Sequence, residues 1–161
     1  MNFKIVLIGL LVVITGALVV ARSNALLLHE DHPERTATVY KTATCGCCAN
    51  YVSYLRTKNF DVKIVDLTDE ELTEKKHQLG VAHELNSCHT TVASAGERDY
   101  FIEGHIPYEA VEKLLGEKPL IKGIGTPGMP SASPGMPGTK TEPFNISQVK
   151  NDVQTAPYLT L

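Results

Sequence analysis

The chain has 161 residues, a formal net charge of −3 and no tryptophan. That length suits one domain with a single core plus a tail, and leaves little room for two. After residue 25 no basic cluster is longer than two residues, so nucleic acid binding has no electrostatic footprint here.

The first 25 residues read as an export signal. Lys4 supplies a positive start, Ile5 to Ala21 is an apolar run interrupted by Gly9, Thr15 and Gly16, and Ser23-Asn24-Ala25 resembles a small-x-small cleavage site. The run is long for a signal core and short for a membrane span, so an uncleaved N-terminal anchor is the alternative to cleavage after Ala25. Both readings make the rest of the chain periplasmic or otherwise exported. Residues 26–36 form a polar lead-in whose His29 and His32 read as solvated.

From Thr36 the pattern is α/β. Ala37 to Lys41 predicts a strand, Gly46 to Lys58 a helix with Tyr51, Val52 and Leu55 on one face, and Asp61 to Leu67 a second strand. Thr68 and Glu71 have the spacing of a capping box for a helix that runs to Leu79 and stops at Gly80. Its charges, Asp69 to Glu74 early and Lys75, Lys76 and His77 late, suit the helix dipole and read as a solvated face. Thr90 to Ser94 and Tyr100 to Glu103 predict a hairpin around Ala95-Gly96-Glu97-Arg98, and Pro107 opens a last helix ended by Gly116. The order β-α-β-α-β-β-α is that of a thioredoxin-like fold, a four-stranded mixed sheet with flanking helices, over residues 37–118. Residues 119–161 read as a Pro/Gly/Met-rich irregular tail, partly packed on the domain. In it Gly128-Met129-Pro130 recurs as Gly135-Met136-Pro137.

Three of the four cysteines fall within Cys45-Gly46-Cys47-Cys48, where the first strand gives way to a helix. Cys45 and Cys48 have the spacing of a redox motif at a helix N-terminus, where the dipole and free N–H groups favour thiolate. A dithiol needs only two thiols; Cys47 is surplus, and a third sulfur points to a soft metal ion. In a thioredoxin-like fold the loop before the third strand faces this motif. Redox members carry a cis-proline there, whereas this chain has Asn86-Ser87-Cys88-His89-Thr90. Cys88 is therefore expected opposite the cluster.

The export signal, TCGCC after the first strand, SCHT before the third, EGHIP after the fourth, and the tail PGMPSASPGM together resemble the periplasmic copper-resistance family called CopG. The resemblance spans residues 36 to 137. It implies a thioredoxin-like fold, a role in copper handling, contact with other copper-handling exported or membrane proteins, and metal ligands at Cys45, Cys47, Cys48 and Cys88. Soft Cu(I) suits such thiolates, and crowded sulfurs favour bridging; one tetrahedral zinc is the alternative cofactor. His89 and His105 are candidates for ligation or for orienting the site, and Met129 and Met136 for extra soft ligands or for apolar anchors. If the site is redox-active, Cys45 is the attacking thiolate and Cys48 or Cys88 resolves. The competing readings are a thiol-disulfide oxidoreductase acting on proteins and a structural zinc module.

Overall fold

The segment Arg35–Thr42 alternates buried Ala37, Val39 and Lys41 with more open neighbours, as a half-buried strand does. A computed structural model describes residues 35–161; the proposed signal or anchor, His29 and His32 lie outside the described residues. The element order is β1 (Arg35–Thr42), α1 (Gly46–Thr57), β2 (Phe60–Leu67), α2 (Asp69–Leu79), a 3-10 turn (His83–Leu85), β3 (His89–Ala95), β4 (Arg98–Glu103), α3 (Tyr108–Glu117), β5 (Gly123–Gly125), β6 (Asn145–Val149) and β7 (Thr155–Thr160).

The strands form one mixed sheet in the order β2-β1-β3-β4-β5-β6-β7. β1 pairs in parallel with β2 and antiparallel with β3, β3 and β4 form the expected hairpin, and β5 lies parallel to β4. The α/β class and mixed sheet agree with the sequence reading, but the sheet has seven strands rather than four. The three added strands come from the segment expected to be irregular, whose longest stretch without strand or helix is residues 126–144. β5 carried no periodic signal because it is Gly-Ile-Gly, and its glycine is structural. A Cβ on Gly123 would lie 2.2 Å from the carbonyl oxygen of Phe101, so only glycine lets the two backbones approach this closely. Pro157 lies in β7, the edge strand, where a missing N–H is tolerated.

Alternation along the strands sorts the two faces. Tyr51, Val52 and Leu55 of α1 and Ala110, Val111, Leu114 and Leu115 of α3 share a core with Val39, Ala93, Tyr100, Ile102, Ile124 and Ile146. Phe101, between Tyr100 and Ile102, belongs instead to a second cluster with Ala82, Leu85 and Val149 beside Leu79. Each large side chain so buried contributes roughly 1.5–3 kcal/mol.

The capping box is present in full: Glu71 N donates to Thr68 Oγ1, Thr68 N donates to Glu71 Oε2, and Gly80 closes α2 at φ +73°. Two local expectations change. α3 runs through Gly116 to Glu117 and closes on Lys118 at φ +51°, whose N–H reaches Leu114 O. Lys76 is not solvated: it is buried, on the same helix face as Leu72.

Candidate metal centre

Cys45 is the N-cap of α1, and Cys47 and Cys48 lie in its first turn. Cys88 arrives from the connection between the 3-10 turn and β3. Ligand atoms of Cys45, Cys47, Cys48 and Cys88 all lie within 4.8 Å of one another, as the sequence predicted. Cys45 and Cys48 are joined as a disulfide with Cα atoms 5.3 Å apart, and Cys47 and Cys88 are free. Cys47 Sγ is 3.6 Å from Cys45 Sγ and 3.8 Å from Cys88 Sγ. A tetrahedral ion about 2.3 Å from each of two sulfurs holds them about 3.8 Å apart, so this spacing suits a shared metal.

A second donor set shares Cys88. One ring nitrogen each from His89 and His105 lies with Cys88 Sγ inside the same 4.8 Å limit. Strand alternation explains His89: with Thr91 and Ala93 it faces α1, and its ring meets Tyr51 at a centroid distance of 4.9 Å. His105 follows the turn at Gly104 and stands edge-on to His89 at 4.7 Å. Cys88 Sγ is 3.6 Å from His89 Nδ1 and 3.5 Å from His105 Nε2. His105 Nδ1 is 2.8 Å from the carbonyl oxygen of Pro134; a carbonyl only accepts, so Nδ1 carries the proton and Nε2 keeps its lone pair toward Cys88. The His89 nitrogen that faces Cys88 is Nδ1, and its Nε2 is buried without a hydrogen-bond partner.

Burial, with the neighbouring His105 and Lys76 opposing a second positive charge, holds His89 down to about 3; burial also lowers His105. Both imidazoles are therefore neutral at pH 7, the form that ligates metal. Burial and the adjacent Cys47 sulfur push the Cys88 thiol up to about 12, so metal binding there displaces a proton. Cys88 also lines a polar cleft of about 210 Å³ with Thr42, Asp69, Thr73, Lys76 and Asn86.

The tail reaches this site through its second Gly-Met-Pro repeat. Asn50 Nδ2 donates to Gly135 O, Pro134 O accepts from His105, and Gly135 at φ +82° lies against the backbone of Tyr51. Met136 is half-buried next to these contacts in the chain, whereas Met129 is exposed, at φ +45°. His77 and His83 are exposed, as expected.

Sequence reasoning missed Lys76 and Glu103. They form an ion pair of 2.7 Å in which both side chains are buried, behind the Cys88 loop. The signals were there: Lys76 shares the helix face of Leu72, and Glu103 completes the apolar run Tyr100-Phe101-Ile102.

Comparison with known proteins adds a family to this geometry. The family model described as a protein of unknown function, DUF411, matches residues 85–136, which hold Cys88, His89, His105 and both methionines. No curated protein matches the chain. Two solved structures of copper resistance protein CopG are similar to it. Form 1 is 30% identical, with a TM-score of 0.68, over 78% of this chain and 96% of that chain. The chain belongs to the CopG copper-resistance family. Form 2 of CopG is similar at 29% identity and a TM-score of 0.67, over 80% of this chain and 98% of that one.

Proposed function

We propose that this chain is an exported copper-binding protein of copper resistance, with Cu(I) as its cargo, held by Cys45, Cys47, Cys48 and Cys88. The observation that carries this reading is the meeting of four sulfurs from two separate segments within 4.8 Å, in a chain of the CopG family. Sulfur-rich, crowded donors suit a soft monovalent ion better than the separated knuckles of structural zinc sites. His89 and His105 add neutral nitrogens at the margin, and Met136 follows Pro134 and Gly135, which contact His105 and Asn50. The element order over residues 37–118, with the cysteines at the start of the first helix, supports a thioredoxin-like domain. The apolar segment before residue 25 supports export, by cleavage or as an anchor.

The binding state is tied to thiol chemistry. With Cys45 and Cys48 bonded, two thiols and two imidazoles remain. A dithiol donor that closes to its own disulfide passes two electrons and two protons to the bond and opens it, giving four thiols. The Cys45–Cys48 disulfide also favours a second reading, a thiol-disulfide oxidoreductase acting on proteins. Anaerobic titration of reduced protein with Cu(I) and Zn(II), followed by thiolate-to-metal absorption, tests the first reading: Cu(I) is expected to displace Zn(II), and zinc retention overturns it. Turnover in an insulin-reduction assay at the rate of an ordinary dithiol enzyme favours the second.

A further inference from the structure

The Lys76–Glu103 pair has a use that stability does not explain. Two ions taken out of water rarely stabilise a fold more than apolar side chains of the same volume. Here every polar capacity of the pair is spent on one short segment. Glu103 Oε1 accepts from Ser87 N at 2.8 Å, Ser87 Oγ at 2.9 Å and Lys76 Nζ at 2.7 Å, and Glu103 Oε2 accepts from Thr90 Oγ1. Lys76 Nζ gives its other two protons to Asn86 Oδ1 at 3.1 Å and to Ser87 O. An ammonium has three protons to donate, and all three are used.

The contacts bracket Cys88 and His89. Residues 86 and 87 are held on one side and Thr90 on the other, where Thr90 faces Glu103 directly across the β3–β4 ladder. Thr90 points toward the α2 side of the sheet, so its neighbour His89 points toward α1 and the cysteines. Ser87 Oγ also lies 3.0 Å from His89 O, so its single proton is shared between that oxygen and Glu103, and Gly104 N donates to the same carbonyl oxygen at 3.2 Å.

We propose that Lys76 and Glu103 are positioning residues of the metal centre, which clamp the loop so that Cys88 and His89 face the cysteines of α1. The copper consequence rests on the function proposed above; the clamp itself does not, and the test separates the two.

The variant is Lys76→Met/Glu103→Leu, which removes both charges together and leaves no lone buried ion. Without metal, in a Cys45→Ser/Cys48→Ser background, diamide joins Cys47 to Cys88, whose sulfurs start 3.8 Å apart. The double substitution is expected to slow this joining about tenfold or more, since small misplacements of reacting atoms cost that much. A core control, Leu114→Ala, destabilises the fold away from the loop and is expected to leave the joining rate unchanged; equal slowing in both, or in neither, overturns the clamp. With all four cysteines present, the double variant is expected to lose about tenfold or more in Cu(I) affinity, as groups that orient ligands do. Slowed joining with unchanged copper affinity refutes the copper role of Cys88 and leaves the clamp standing; a wild type that binds no copper does the same. If the double variant does not melt cooperatively, Thr90→Val removes only one donor to Glu103. It is expected to slow joining by a smaller factor, and an unchanged rate overturns the proposal.

Discussion

The two copies of Gly-Met-Pro in the tail allow an internally controlled substitution. Gly128 and Gly135 both have left-handed backbone, φ +73° and +82°. Replacing either with alanine therefore costs about 1–2 kcal/mol for placing a Cβ in that region. Their surroundings differ. A Cβ on Gly128 meets nothing within 4 Å, whereas one on Gly135 falls 2.7 Å from Tyr51 N and 3.0 Å from Asn50 C, backbone atoms of α1 that cannot step aside. Forced overlap of this kind adds about 1–3 kcal/mol. If the strap lifts instead, it forfeits the Asn50–Gly135 and His105–Pro134 hydrogen bonds, about 0.5–1.5 kcal/mol each. Gly135→Ala is thus expected to cost about 3 kcal/mol and Gly128→Ala about 1 kcal/mol. Urea unfolding of both variants, at matched slope and with the Cys45–Cys48 bond closed, measures the difference. Losses equal within error would refute the docking of the second repeat on α1. Gly135→Ala should also weaken copper binding, because the carbonyl that orients His105 moves with it.

Cys47→Ser is expected to lower copper stoichiometry while Cys45 and Cys48 still cycle between dithiol and disulfide; equal copper uptake by wild type and variant sinks the argument from the surplus sulfur. Acid should destabilise the apo protein through His89. Its folded value, about 3, lies below the ordinary 6.5, so below pH 6.5 the unfolded chain takes a proton that the fold refuses. The sign is a loss of stability as pH falls from 6.5 toward 3, about 1.4 kcal/mol per pH unit. Urea midpoints from neutral to acid pH read it, and His89→Leu should flatten the slope. Tyr51→Phe deletes the buried donor to Ile106 O at 3.0 Å, next to His105, and is expected to cost about 1–3 kcal/mol in the same assay.

The elements that sequence alone made legible are those with strong local chemistry. Thr68 and Glu71 announce a helix start by a reciprocal hydrogen bond, Gly80 announces its end, and the alternation of Val62 and Ile64 announces a strand. The clustering of Cys45, Cys47 and Cys48, with Cys88 entering where a proline is otherwise expected, made the centre of the site readable too. What escaped depends on partners distant in sequence. β5 is a strand because Phe101 offers its backbone to Gly123, and no pattern within Gly-Ile-Gly records that. β6 joins the sheet through β5, and β7 through β6. Lys76 looks like one more charge on a charged helix until Glu103 is set opposite it. Pro134 reads as an ordinary tail proline, yet its carbonyl selects the tautomer of His105.

The measurement that tests the central claim most directly is an anaerobic Cu(I) titration of fully reduced protein, with each cysteine's alkylation followed by mass spectrometry. The account predicts that Cys45, Cys47, Cys48 and Cys88 become protected together as copper is added. Copper-saturated protein in which Cys88 still reacts as fast as in the apo form would contradict it.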